Sequence, residues 1–213
     1  MSKIRVVSFD LEGTLVKPTF SQLVWETEIP KLYAEEEGVS FEEAQEYVRA
    51  EYLKVGEERR EWYDIKYWFR HFKLNSDWRE LLEAHKDAVA VYPEVLDVLE
   101  ALEGEYTLIV ITNTSREFIS YLVKPVERYL DQLFSATSDF NSVKKDPHLY
   151  REICGRLRVK PVQVAHVGDH YVFDFKVPRV IGIFAFYLDR SRVYSTTNVV
   201  RDLSEFQNQL RSI

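Results

Sequence analysis

The stretch that decides the fold is residues 4–15, IRVVSFDLEGTL. Ile4, Val6, Val7 and Phe9 form a short apolar run that stops at an acid, Asp10. A run this short, rich in β-branched residues and bounded by a Gly, reads as a buried parallel strand. It delivers Asp10 at the strand's carboxyl end, the edge where open α/β sheets bind their ligands. A second acid, Glu12, follows two residues on, and Gly13-Thr14 lets the chain turn sharply away. A carboxylate on a rigid strand, another beside it and the N–H groups of a turn suit phosphoryl transfer. The plainer alternative is a pair of acids capping a loop, and distant partners have to decide between them.

Composition sets the frame. The 213 residues suffice for one large domain, or for a core of roughly 130 residues with a smaller insert. With 46% hydrophobic and 30% charged residues the chain is of the soluble globular class. A net charge of −7 without a Lys/Arg block argues against a nucleic-acid groove or an anionic membrane surface as partner. The single cysteine, Cys154, has no internal disulfide partner and reads as a small buried apolar residue. A core strand almost at the start predicts no signal peptide, and no apolar run reaches the length of a membrane span. The expected location is therefore the cytoplasm.

Beyond Leu15 the character changes. Residues 18–90 show several helical patterns and no clear strand. A helix is predicted over 20–37, interrupted at Pro30 and stopped by Gly38. Ser40 and Glu43 stand at capping-box spacing and open a second, to about residue 54. A third covers 58–72, with Trp62, Ile65, Phe69 and Phe72 on one face; Asp77 and Glu80 start a fourth. The many aromatics here read mainly as the core of a small bundle. Tyr63, Tyr67 and Arg70 fall on another face, open to a substrate below. No Gly/Ser linker sets the block apart, so it reads as an all-helical insert, 18–90, within a core formed by 1–17 and 91–213.

From Val91 strands and helices alternate. Strands are predicted at 106–111, 133–136, 162–167 and 183–187, and helices after Pro93, at 116–123, after Asp146-Pro147, at 172–181 and at 204–210. This alternation implies a parallel sheet with right-handed crossovers and helices on both faces, a Rossmann-like α/β core. Polar residues then collect at the carboxyl ends of strands or in the adjoining loops: Asp10 with Glu12, Thr112 with Asn113, the pair Lys144-Lys145, and Asp169 with Asp174. Each alone has an ordinary explanation, Thr112 as a helix cap, Lys144 as a solvated loop residue, Asp174 as a first-turn acid. Together and in this order they are specific.

The order and the local words resemble the haloacid-dehalogenase superfamily, whose members are mostly Mg²⁺-dependent phosphatases. The resemblance covers residues 4–15 and about 91–190, with the helical block at the position of that superfamily's first-type cap. Asp10-Leu11-Glu12-Gly13-Thr14 looks like its first motif, a nucleophilic Asp and, two residues on, an acid/base carboxylate. Ile111-Thr112-Asn113 looks like the second, which assigns Thr112 to the phosphoryl group. The segment from Lys144 to Tyr150 is similar to the Lys-Pro-x-Pro segment; it points to Lys144, with Lys145, at the usual Pro position, as the alternative. Val167-Gly168-Asp169 with Asp174 resembles the acidic metal site.

The resemblance implies that Asp10, Asp169 and the main-chain carbonyl of Glu12 bind Mg²⁺, with Asp174 binding directly or through water. Mg²⁺ keeps oxygen ligands and several waters, and with Lys144 it would neutralise a phosphate ester that otherwise repels Asp10. Asp10 would then form an aspartyl-phosphate, cradled by N–H groups near Leu11, Glu12 and Asn113, while Glu12 serves as general acid and base. Glu12 departs from the commoner Asp; its carboxyl sits about 1.5 Å farther out. The enolase-phosphatase branch shares Asp-x-Glu-Gly-Thr, although the Thr112 segment does not follow that branch. The implied activity is hydrolysis of a small phosphorylated metabolite by a monomer or homodimer.

Three rivals remain. A 2-haloacid dehalogenase uses the same Asp without metal, but that branch usually has Tyr at the Glu12 position, and an acid there repels the substrate carboxylate. A receiver-type signalling module lacks a helical insert after its first strand. A phosphoryl-binding protein without turnover would carry Glu12 as its lesion.

Overall fold

The computed structural model describes residues 3–144, 146–193 and 197–213. Six strands, β1 (Val6–Phe9), β2 (Thr107–Thr112), β3 (Gln132–Ser135), β4 (Val164–Gly168), β5 (Phe184–Leu188) and β6 (Val199–Val200), form one sheet. Their order is β3-β2-β1-β4-β5-β6, with every pairing parallel. The Rossmann-like α/β architecture expected from β1 is therefore the one found. The strand order reverses between β1 and β4, and in such sheets the crevice for ligands opens outside the carboxyl ends at that point.

Alternation along the strands divides the core. Val7, Phe9, Val110, Val167 and Phe186 point to one face, packed with Val95 and Leu99 of helix Val95–Leu102 and Phe206 of helix Leu203–Leu210. Val6, Ile109, Ile111 and Val164 point to the other, packed with Leu149, Ile153 and Cys154 of helix Pro147–Leu157. Residues buried to this degree contribute roughly 1.5–3 kcal/mol each for the large apolar side chains. Helix Pro147–Leu157 starts where the sequence predicts: Pro147 opens it, and Asp146 accepts from the His148 N–H.

Between β1 and β2 the chain makes helices, turns and isolated bridges but no strand of the sheet. It leaves and returns side by side, the Lys17 N–H donating to the Ala90 carbonyl (2.7 Å) and the Tyr92 N–H to the Leu15 carbonyl (3.3 Å). The Ser40–Glu43 capping box opens helix Phe41–Val55, and Asp77 caps Trp78–Ala84, as predicted. Aromatics fill this block, with Tyr52 edge-on to Trp68 (4.6 Å) and Trp68 stacked on Phe72 (5.4 Å).

Several elements differ from expectation. Pro30 does not interrupt its helix. Its ring would strike the carbonyl four residues back in a regular helix, and the preceding turn, Leu23–Glu28, widens into a π-helix in which the Ile29 N–H reaches the Val24 carbonyl. The third helix is split. A 3₁₀ turn, Arg60–Tyr63, precedes helix Ile65–His71 because the Asp64 carboxylate accepts from the Lys66 and Tyr67 N–H groups and caps a new start. The segment after β4 is a π-helix, Tyr171–Lys176, before a short Val177–Arg179 helix. Strand β6 was not predicted; two residues are too few to show a pattern. No helix among the described residues is long and apolar enough to cross a membrane.

Candidate active site

Among the described residues, the polar clusters named from the sequence lie on the carboxyl edge of the sheet. Asp10 leaves β1 beside β4, its N–H donating to the Val167 carbonyl (2.9 Å). Asp169 follows β4 directly. The π-helix beyond it turns Asp174 inward, where it is fully buried. One oxygen from each of Asp10, Asp169 and Asp174 lies within 4.8 Å of the others. Two glycines make this convergence possible. A Cβ on Gly13, whose φ is +78°, would stand 2.0 Å from Asp169 Oδ2, and one on Gly168 would stand 2.3 Å from Asp174 Cγ. The carboxylates occupy the space that side chains at these positions would need.

Among the described residues, Lys144 is the cation paired with these carboxylates. Buried to within 2% of full enclosure, its Nζ donates to Asp10 Oδ1, to Asp174 Oδ1 (2.5 Å) and to the Ile111 carbonyl (3.2 Å). Asn113 holds the lysine's backbone, its Oδ1 accepting from the Lys144 N–H (2.8 Å). Lys145, the alternative in the sequence, lies outside the described residues. Thr112 is buried, and its hydroxyl donates to Thr114 Oγ1 (3.1 Å), which in turn donates to Glu12 Oε2 (3.1 Å). The described residues among those predicted from the sequence therefore come together, from segments up to 164 positions apart.

Charge in this recess is unbalanced. Burial raises Asp10's carboxyl, with Lys144 opposing it and Asp174 adding to it. Desolvation, and the charges of Asp10 and Asp174, push Asp169 up to about 8, although its outer side meets solvent. Asp174 behaves oppositely: burial works against its charge, but Lys144 and His166 hold it below the ordinary carboxylate range. Burial likewise disfavours the Lys144 ammonium, yet Asp10 and Asp174 hold it well above the usual lysine value. Among the described residues, three carboxylates against one ammonium leave a deficit that a divalent cation with oxygen ligands is suited to fill. Glu12 sits apart from that cluster; burial raises it to about 7, against the Ser21 and Thr114 hydroxyls, which lower it.

Residues of the helical block reach the edge of the site. Asn113 Nδ2 donates to the Tyr63 hydroxyl (3.2 Å), which donates to the Glu57 carbonyl (3.0 Å). Glu57 also pairs with His170 Nε2 (3.2 Å), and Lys66 with Glu117. Of the stripe Tyr63, Tyr67 and Arg70, only Tyr63 reaches the site. Tyr67 stacks on the His71 ring (5.7 Å), and Arg70 lines an outer groove with Lys73 and Trp78. Another recess, about 460 Å³, lined by Lys3, Arg5 and Arg128, lies at the opposite, amino edge of the sheet, away from the carboxylates.

Two sets of residues were not singled out from the sequence. Arg190, after β5, donates to the Gly13 (3.1 Å) and Thr14 (2.8 Å) carbonyls and pairs with Glu94 (2.8 Å), anchoring the turn that carries Glu12. His166 and Ser8 lie buried under Asp174. The signal for the second set was available: a His inside VAHVG and a Ser inside VVSF, each polar within an otherwise apolar strand.

The sequence matches the family of haloacid dehalogenase-like hydrolases over residues 4–182. A relative, the GMP/IMP nucleotidase YrfG of Escherichia coli (strain K12), is 24% identical over 169 residues, 78% of this chain and 74% of that protein. The crystal structure of a HAD phosphatase from Thermococcus onnurineus is similar with a TM-score of 0.87 and 24% identity, over 97% of this chain and 98% of that one. That of a 2-haloacid dehalogenase from Pseudomonas syringae pv. Tomato DC3000 is similar with a TM-score of 0.68 and 22% identity, over 98% of both chains.

Proposed function

The chain belongs to the haloacid dehalogenase-like hydrolases, and from that premise we propose that it is a Mg²⁺-dependent phosphatase of small phosphorylated metabolites. The observation that carries this reading is the convergence of Asp10, Asp169 and Asp174 beside the buried Lys144, with a separate carboxyl at Glu12 raised to about 7. Asp10, Asp169 and the Glu12 carbonyl would hold the metal, Asp174 directly or through water. The metal, when bound, supplies charge neutralisation at the phosphoryl oxygens.

The remaining steps belong to the chain. Lys144 orients the Asp10 carboxylate, so that an oxygen is held for in-line attack on phosphorus, and steadies charge on the transferring group. Thr112 and the N–H groups near Leu11, Glu12 and Asn113 cradle the phosphoryl oxygens. Glu12, with a carboxyl poised near neutrality, protonates the leaving alkoxide and then takes a proton from the water that opens the aspartyl-phosphate. The helical block, taken as a cap over 18–90, closes on Asn113 and His170 through Tyr63 and Glu57 and excludes bulk water. Dehalogenation fits less well, because Glu12 would face the carboxylate of a 2-haloacid.

The test is orthophosphate release from p-nitrophenyl phosphate and from a panel that starts with nucleoside monophosphates, since the E. coli relative is named a nucleotidase. Release is expected with Mg²⁺, lost with EDTA and lost in Asp10→Asn. Halide release without Mg²⁺, or full activity of Asp10→Asn, overturns the reading.

A further inference from the structure

The buried part of the sheet face that packs on helix Pro147–Leu157 is apolar except at one place. Ser8 on β1 and His166 on β4 are register partners, point to the same face and are both fully buried. Around them stand Val6, Ile109, Ile111, Val164 and Tyr150. A hydroxyl and an imidazole in such surroundings cost free energy unless their hydrogen bonds are made. An apolar pair would fill the same space without that demand, so the polar pair calls for a purpose beyond packing.

Its hydrogen bonds lead to the site. His166 Nδ1 meets Ser8 Oγ at 2.9 Å, and Nε2 meets Asp174 Oδ1 at 3.1 Å. A carboxylate only accepts, so Nε2 carries the hydrogen; Ser8, able to give or to accept, completes the other nitrogen. Tyr150 also touches the ring, but its hydroxyl is committed to the Phe173 carbonyl at 2.8 Å. The second oxygen of Asp174 accepts from the His170 N–H at 3.0 Å. One donor on each oxygen is therefore rigid, a ring fixed in a strand and a backbone amide. The third donor, Lys144 Nζ, sits at the end of a flexible chain and shares Oδ1 with the ring.

We propose that Ser8 and His166 are a positioning pair: Ser8 sets the imidazole ring, the ring sets the Asp174 carboxylate, and Asp174 in turn sets Lys144 against Asp10. Neither residue touches substrate. Their effect is on a carboxylate that already has its place and plane when the metal and the phosphoryl group arrive, the role that partners of metal ligands fill elsewhere. The proposal rests on the acidic cluster being a Mg²⁺ site, as in the reading above.

The experiment is Mg²⁺ binding by titration calorimetry on the full chain, wild type against His166→Phe, His166→Gln and Ser8→Ala. His166→Phe fills the space without the donor and is expected to weaken Mg²⁺ binding by roughly 10- to 100-fold. His166→Gln, which keeps an N–H near the Nε2 position, should recover most of that loss, and Ser8→Ala should fall between. Leu102→Ala, in the apolar core on the opposite face of the sheet, serves as the control for destabilisation and should bind as wild type does. Should His166→Phe not fold, Ser8→Ala decides alone. Wild type that takes up no Mg²⁺, a donor-deleted variant with an unchanged isotherm, or equal weakening in Leu102→Ala overturns the pair. Phosphate release is read in parallel: its absence in wild type removes the phosphatase reading, while the isotherms still decide the pair.

Discussion

Glu12→Gln separates the chemistry of the general acid from its place in the fold. The carboxyl is raised from an ordinary 4.5 to about 7, chiefly by burial. A carboxyl that is harder to ionise in the folded state than in the unfolded one makes a contribution to stability that is complete below 4.5 and lost as pH rises through about 7. The full shift corresponds to about 3 kcal/mol. Gln keeps the shape and a partner for Thr114, but has nothing to ionise. With EDTA present, wild type and variant should therefore be close in stability near pH 4.5 and diverge to about 3 kcal/mol in the variant's favour by pH 7, with little further change above. For a chain of this length that is roughly 6–12 °C in Tm. Asp169 titrates with the same sign in both proteins and cancels from the difference. Denaturant unfolding at several pH values reads the free energy directly. Parallel stability curves for the two proteins refute the raised carboxyl. Activity should move the other way, with kcat/KM falling roughly 10²- to 10⁴-fold in the variant; a variant that is stabilised at pH 7 yet fully active removes Glu12 from acid/base catalysis while leaving its burial intact.

Two further substitutions probe the geometry around it. In Gly13→Ala the new methyl would need the space 2.0 Å from Asp169 Oδ2, at a φ of +78°, so Mg²⁺-dependent phosphate release should drop by at least about 10²-fold; wild-type turnover would show that Asp169 is not held there. Tyr63→Phe removes the hydroxyl shared by Asn113 and the Glu57 carbonyl. Losing hydrogen bonds of about 0.5–1.5 kcal/mol each should raise KM several-fold more than it lowers kcat, and equal values for both enzymes would detach Tyr63 from closure.

Much of the scaffold was legible because its signals are local. The VVSF run ending in an acid placed β1 and Asp10, and Ser40 with Glu43 placed a helix start to the residue. What escaped depends on how helices end and widen. A π-turn keeps nearly the same apolar face as an α-turn, so neither Leu23–Glu28 nor Tyr171–Lys176 announced itself. Asp64 looks from the sequence like one more polar position on a long helix, yet its side chain captures two N–H groups and restarts the helix. That restart sends Tyr63 down to Asn113 and leaves Tyr67 and Arg70 elsewhere.

At the site the division is similar. Asp10, Thr112, Lys144, Asp169 and Asp174 stood out because each ends a strand or stands in the loop or first helical turn beyond one, and a parallel sheet brings such ends to a single edge. Ser8 and His166 stand inside strands, 158 positions apart, and meet only because β1 and β4 are neighbours in this register. Sequence order puts β4 after β3, and only the reversal of strand order at β1 brings the two side by side. The same reversal opens the crevice occupied by Asp10 and Asp169. The position that gives the sheet its ligand edge thus also allows a polar pair under that edge, which is a reason to look for positioning residues two or three places before the functional acids of β1 and β4.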